Sequence, residues 1–211
     1  MKIVYIIPNC DVSGGIAIIC QHANRLLKRG HDVFLVSEKG AHRIDWFPNQ
    51  NVPILTLNQY PRGVDILVAT AWSTSFKSVD LSAKQKFYFV QSDETRFFEE
   101  NSINQYFSAL TYLLNVNYLT EAKWIKKWLL EDFNHNAALI PNGLDKSIFY
   151  PDNPFAPKGE KTRILLEGAI GIPYKGMNEA FKVIEDLDVE VWCVSSLGKP
   201  KPGWHCDRFF E

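Results

Sequence analysis

The chain has 211 residues, 46% hydrophobic and 22% charged, a composition that suits a folded protein and is too apolar for a disordered one. Twenty-three Lys and Arg against 24 Asp and Glu give a net charge of −1, so nucleic-acid binding has no basic field to rest on. A length of 211 is long for one domain and short for two, and no apolar run approaches the roughly 18 residues of a membrane-spanning helix.

Lys2–Ile7 is a continuous apolar run rich in β-branched residues, which predicts a strand buried on both faces rather than a secretory signal. Pro8 ends it. After Asp11-Val12-Ser13-Gly14-Gly15, apolar residues at Ile16, Ile19, Cys20, Ala23, Leu26 and Leu27 make one helical stripe. Lys28, Arg29 and a terminal Gly30 close it. Residues 33–37 form the next buried strand and complete a right-handed βαβ unit.

Further strands are predicted at 52–57, 65–69, 86–90 and 115–119. Ile103, Tyr106, Phe107, Leu110 and Leu114 make a helical stripe. Thr120 is placed to N-cap a helix over 121–133, with Ile125, Trp128, Leu129 and Phe133 on one face. A strand at 137–140 ends at Pro141-Asn142-Gly143, read as a tight turn that Asp145 could cap from behind. The alternation makes 1–150 a doubly wound α/β domain, Rossmann-like, with a mostly parallel sheet.

Pro151, Pro154, Pro157 and Gly159 mark 151–161 as an interdomain linker. Residues 162–211 then open a second Rossmann-like domain with one βαβ unit. It has a strand at Arg163–Glu167, a helix lined by Met177, Ala180, Phe181, Ile184 and Leu187, and a strand at 189–194. Lys199-Pro200-Lys201-Pro202-Gly203 breaks regular structure after it. Two strands alone leave exposed edges, which points to docking or to pairing with a second copy as a homodimer.

Three loops could carry chemistry. Gly14 and Gly15 let a ligand approach the backbone at a helix N-terminus, where unpaired N–H groups and the dipole favour an anion. The turn does not read G-x-G-x-x-G, so a nicotinamide enzyme is disfavoured. Asn142 and Gly143 follow a strand end. Lys175 and Gly176, in Gly171-Ile172-Pro173-Tyr174-Lys175-Gly176, place a point charge before a helix, as a phosphate requires.

Other residues have plainer readings. Asp186-Leu187-Asp188 has the spacing of a metal-binding D-x-D but sits between a helix and a strand, where a polar turn fits better. His22 and His42 have no spaced acidic or Cys partner, and His135 and His205 sit in loops among polar or terminal residues, where solvent exposure explains them. Cys10, Cys20, Cys193 and Cys206 form no C-x-x-C and match no zinc pattern, so they read as reduced, mostly buried thiols of a cytosolic protein. Trp124 and Trp128 share a helix with Lys123, Lys126 and Lys127. Core packing with snorkelling lysines is favoured there over peripheral contact with a membrane.

Taken in order, the Gly14-Gly15 turn, Pro141-Asn142-Gly143-Leu144-Asp145 with Phe149 and Pro151, and Lys175-Gly176 with Glu179-Ala180 resemble the family 4 glycosyltransferases of the GT-B fold. The segment Phe89-Val90-Gln91-Ser92-Asp93-Glu94-Thr95-Arg96-Phe97-Phe98 is similar to the rhamnosyltransferase-like subgroup of polysaccharide assembly. The resemblance implies a retaining, metal-independent sugar transfer from a nucleotide-sugar donor to a saccharide or lipid-linked acceptor. The nucleotide-sugar is a substrate, and no cofactor is implied. It further implies a cytoplasmic enzyme that can work at the inner face of the membrane, with the acceptor held mainly by the first domain. Gln91, Asp93 and Glu94 would be catalytic, and Gly14, Gly15, Asn142, Gly143, Lys175 and Gly176 would meet the donor and its phosphates.

Two departures accompany it. Gly168 is followed by Ala169 where the family often has Arg, and no two Glu have the family's seven-residue separation. The expectation is therefore a truncated enzyme, inactive alone because its donor site is incomplete. The alternative is a non-catalytic Rossmann-like ligand-binding or regulatory module.

Overall fold

The computed structural model describes residues 1–40, 43–147, 149–150 and 159–211. His42 and residues 151–158, most of the predicted linker with Pro151, Pro154 and Pro157, lie outside the described residues. The chain divides into two compact units, Met1–Gly143 and Leu144–Glu211.

The first unit is built on seven parallel strands: β1 (Lys2–Ile7), β2 (Asp32–Ser37), β3 (Ile54–Thr56), β4 (Ile66–Ala69), β5 (Gln85–Val90), β6 (Asn117–Thr120) and β7 (Ala138–Leu139). Their order in the sheet is β3-β2-β1-β4-β5-β6-β7. The chain therefore runs outward in both directions from the centre, and the direction of winding switches between β1 and β4. Val4, Ile6 and Ile7 are fully buried, as a strand covered on both faces requires. Thr70 stitches the switch point, its hydroxyl donating to the Ile6 carbonyl at 2.7 Å.

Helix α1 (Gly14–Lys28) buries Ile16, Ile19, Cys20 and Ala23 against β1 and β2, and Gly30 follows its end at φ +83°. This is the predicted stripe and glycine stop. Helix α4 (Lys123–Phe133) buries Ile125 and Leu129. Its N-cap is Ala122, not Thr120: Thr120 is the last residue of β6, and its hydroxyl accepts from the Ala122 amide at 3.4 Å. Trp128 packs edge-on to Tyr112 at 4.8 Å, whereas Trp124 is exposed, so the two tryptophans do not share one environment.

Two helices depart from expectation. Helix α2 (Trp72–Asp80) has no apolar stripe and was not predicted; it buries Thr74, Ser75 and Ser78. Helix α3 (Ile103–Thr111) forms where the stripe predicts it, but that stripe faces outward and Ser108 and Thr111 face in. The reason is the same in both. The inward hydroxyls bond to carbonyls three residues back (Ser78 to Ser75, Thr111 to Ser108, both 2.6 Å), so small polar side chains are satisfied under a closely approaching helix.

Beyond β7, Asn142 and Gly143 are not in a tight turn, and Gly143 is not at positive φ. The turn comes later, where Asp145 accepts from the amide and hydroxyl of Ser147 at 3.1 and 2.6 Å.

The second unit has three parallel strands, not two: β8 (Arg163–Glu167), β9 (Glu190–Val194) and β10 (Arg208–Phe210), in the order β10-β9-β8. Helix α5 (Met177–Ile184) packs Met177, Phe181 and Ile184 on one face of them. The strand past the Pro-Gly segment was not predicted, because three residues beginning with Arg give no periodic signal.

The loop that leaves β8 is fastened to the loop that leaves β9. Ile170 donates to Ser195 Oγ at 3.1 Å and Gly171 to the Leu197 carbonyl at 2.8 Å. Gly198, at φ +83°, approaches so closely that a Cβ there would stand 2.9 Å from the Gly171 nitrogen. Gly198→Ala is expected to destabilise the second unit by about 1–3 kcal/mol through this backbone clash and the strained φ. Limited proteolysis should show faster cleavage after residue 159 while the first unit persists.

Candidate functional site

In doubly wound sheets ligands bind beyond the carboxyl ends of the strands at the switch point. Here a cavity of about 270 Å³ opens there. It is lined by Pro8 and Asn9 after β1, Ser13 and Gly15 at the start of α1, Thr70 after β4 and Gln91 after β5.

Ser13 is the N-cap of α1: its hydroxyl accepts from Ile16 N–H at 3.2 Å and its carbonyl from Ala17 N–H at 3.0 Å. That leaves the first amides of the helix, those of Gly14 and Gly15, at its positive dipole end. Neither glycine is at positive φ, so both serve as the opening residues of the helix and not as a special turn. Their use is steric. A Cβ on Gly15 would stand 3.3 Å from Gln91 Nε2, and Gly14 faces open space. The fold thus brings Gly15 and Gln91 together at one cavity, and Gly14, next to Gly15 in the chain, is not part of its lining. Thr70, which the sequence reading passed over, joins them. The available signal was its place directly after a buried strand, the same place that drew attention to Gln91.

Asp93 and Glu94 do not line the cavity. Asp93 is buried and starts a short 3-10 turn (Glu94–Phe97). It accepts from the Thr95 amide and hydroxyl at 3.2 and 2.6 Å and from Arg96 Nε at 2.9 Å. Glu94 reaches the N-terminus of α2, where Ala71 has no side-chain oxygen with which to cap. Both Glu94 carboxylate oxygens accept from Trp72 N–H, at 3.1 and 3.2 Å, and Oε1 also accepts from the Tyr88 hydroxyl at 3.0 Å. Its own N–H donates to Tyr112 Oη at 3.0 Å. Burial pushes the Glu94 carboxyl up to about 7, against the pull of the Trp72 and Tyr88 donors and with a smaller push from the charge on Asp93.

Asn142 and Gly143 lie past β7, at the same sheet edge but across β4, β5 and β6 from β1, and they do not line the cavity. Asn142 Nδ2 donates to Glu121 Oε2 at 2.6 Å. In the second unit Lys175 ends a short 3-10 turn (Pro173–Lys175), exposed, with its ammonium 5.9 Å from the Tyr174 ring centre. Gly176 follows at φ +69° and leads into α5, which places the lysine just before the helix. A second cavity, of about 280 Å³, lies against α5 between Lys182 and Lys201, with Trp204 stacked on Phe181 at 4.2 Å; no sequence motif marked it.

Among the described residues, no three His, Cys, Asp or Glu side chains gather to hold a metal, and no helix is long and apolar enough to cross a membrane. Asp188 of the D-x-D spacing pairs with Lys161. None of the four cysteines is in a disulfide. Cys10, Cys20 and Cys193 are buried and Cys206 is half-buried, and burial pushes the Cys20 thiol up to about 12.

No protein-family description matches the sequence, and no curated protein matches it. Among solved structures, a sucrose-phosphate synthase from Thermosynechococcus elongatus superposes with a TM-score of 0.70 at 12% identity, over 97% of this chain and 64% of that one. The shared fold is a Rossmann-like α/β one with a mostly parallel sheet. The chain spans about two thirds of that neighbour's length, and at 12% identity the likeness is one of fold.

Glu94 makes the first unit sensitive to pH. An ordinary glutamate titrates near 4.5 and this one near 7, so between those values the folded state holds the extra proton. Stability therefore falls as pH rises from about 4.5 to about 7 and levels off above. Urea unfolding should show Glu94→Gln gaining on the wild type by on the order of 1–3 kcal/mol between pH 5 and pH 8. A difference that stays constant with pH would contradict the assignment.

Proposed function

We propose that this chain carries the acceptor-side domain and the opening part of the donor-binding domain of a retaining, metal-independent glycosyltransferase. It would move a sugar from a nucleotide-sugar to a saccharide or lipid-linked acceptor. The observation that carries the proposal is the switch-point cavity, which Gly15 at the start of α1 lines together with Thr70 and Gln91. The likeness of its Rossmann-like fold to that of a sucrose-phosphate synthase supports it.

In this reading the Gln91 amide orients sugar hydroxyls as donor and acceptor, and the Thr70 hydroxyl, whose proton goes to the Ile6 carbonyl, accepts from one. The amides of Gly14 and Gly15 offer their dipole end to phosphate or to an acceptor oxygen. Lys175, in the second unit, would meet the charge that develops on the departing diphosphate, with the backbone at Gly176 close by. Asn142 would act through the strand-end loops that it ties together at Glu121.

Asp93 and Glu94 take a different role from the one the sequence suggested. A double displacement needs two carboxylates flanking the sugar, about 5 Å apart. Here the oxygens of Asp93 are engaged by Thr95 and Arg96, and those of Glu94 by Trp72 and Tyr88. Both are positioning residues for the segment that follows β5. Their engagement supports a front-face route, in which the bond from the anomeric carbon to phosphate breaks and the acceptor oxygen bonds on the same face. The acceptor proton then passes to the departing phosphate oxygen.

Amide NMR titration tests the assignment. A nucleoside diphosphate should bind weakly and shift the resonances of Lys175 and Gly176, and Lys175→Ala should lower that affinity at least fivefold. A monosaccharide or oligosaccharide acceptor should shift Gly14, Gly15 and Gln91. Tight diphosphate binding that survives Lys175→Ala would overturn the donor assignment. Saccharides that leave the cavity residues unmoved would favour a regulatory ligand module instead.

A further inference from the structure

Helix α3 is inside out. Facing the sheet are Ser108 and Thr111, whose hydroxyls donate to the Gln105 and Ser108 carbonyls at 2.8 and 2.6 Å. Facing water are Ile103, Tyr106, Phe107, Leu110 and, just past the helix, Leu113, at 68, 57, 44, 48 and 66% exposure. Their spacing of three and four residues makes one continuous stripe. Phe107 meets Phe76 of α2 edge-on at 6.2 Å, and Val79, one turn beyond Phe76 and 48% exposed, extends the same face. Six such side chains present roughly 600–800 Å², above the roughly 300–600 Å² of the largest patch on an ordinary monomer and near the ~800 Å² that each partner of a stable complex buries.

The charge pattern around the stripe selects the occupant. Residues 101–120 contain no Asp, Glu, Lys, Arg or His. The nearest charges in sequence are Glu99, Glu100 and Glu121, all acidic. In space two exposed cations also border it: Lys77, between Phe76 and Val79 of α2, and Arg96, which pairs with Asp93 in the turn packed on α3. The border is therefore mixed in sign and is not the basic rim of a face that lies on anionic lipid. A different protein partner is normally steered and placed by complementary charge, which the stripe lacks. A two-fold contact needs only that the face not clash with itself, and an uncharged aromatic and aliphatic stripe meets that condition.

We propose that α3 is a self-association surface, on which the α3 helices of two copies of this chain pack antiparallel about a two-fold axis near Phe107. In that arrangement Glu99 and Glu100 of one copy lie over residues 112–116 of the other, which carry no charge. A parallel arrangement would bring the four acidic groups and both positive helix ends together. The proposal does not depend on the sugar-transfer reading.

Sedimentation velocity on the whole chain, from sub-micromolar to about 100 µM, should show a shift from the 24.2 kDa monomer to twice that mass. The double variant Phe107→Glu, Leu110→Glu should weaken dimerisation at least tenfold, while Val183→Glu on exposed α5 leaves it unchanged. Phe107→Cys, which keeps the helix face apolar, should give a covalent dimer on mild oxidation, so the test stands even if the charged variant folds poorly. A wild type that stays monomeric throughout overturns the proposal. So does a dimer that tolerates the double glutamate variant, or a monomer that co-sediments with phosphatidylcholine–phosphatidylglycerol vesicles through the same residues.

Discussion

The carboxylate of Glu94 ties together elements that the sheet alone does not join. Helix α2 begins without a capping side chain of its own, because Ala71 has none to offer, and a helix end left uncapped costs on the order of 1 kcal/mol. Glu94 supplies the missing acceptor from the segment after β5, holds Tyr88 of β5 through the same oxygen, and is held by Tyr112 at the end of α3. Tyr88 and Tyr112 stack face to face at 6.0 Å beneath it. One side chain therefore sets the start of α2, the end of α3 and the course of the chain leaving β5. Gln91 lies in that course, three residues earlier, so the geometry of the switch-point cavity rests on a buried carboxyl group that is not part of its lining.

Burial explains why most of the sheet was legible and part of the helical layer was not. Strands covered on both faces need unbroken apolar runs, and Lys2–Ile7 or 86–90 can hardly be read otherwise. Helix α2 had no such signature. Trp72-Ser73-Thr74-Ser75-Phe76-Lys77-Ser78 has weak helix formers, and its inward face consists of hydroxyls that only a structure shows to be satisfied. The α3 stripe was found, but a stripe gives a period and no direction. Which way it faces is decided by the room left above β5 and β6, and that room admits Ser108 and Thr111.

The site was legible in the same uneven way. Glycines before a helix and a polar residue after a strand drew attention to Gly15 and Gln91, which the fold places at one cavity, because such positions follow from local geometry. For Asp93 and Glu94 the sequence could not show their partners, since an acidic pair after a strand looks the same whether it faces a ligand or bonds to its neighbours, as these oxygens do. Asn142-Gly143 looked like a turn because that dipeptide makes one so often, yet here Asn142 spends its amide on Glu121 and the chain stays extended. Only partners that are remote in sequence, Trp72 and Tyr88 in one case and Glu121 in the other, settle such questions.

The buried cysteines give the two units separate clocks. Cys20 lies on the inner face of α1 and Cys193 in the middle of β9, both with no exposed surface. A thiol in that state meets a water-borne reagent only when the surrounding structure opens, so its labelling rate counts openings of its own unit. Mass spectrometry of the labelled peptides then separates the two rates within one sample. The breathing of each half of the molecule can be timed without adding a probe to either.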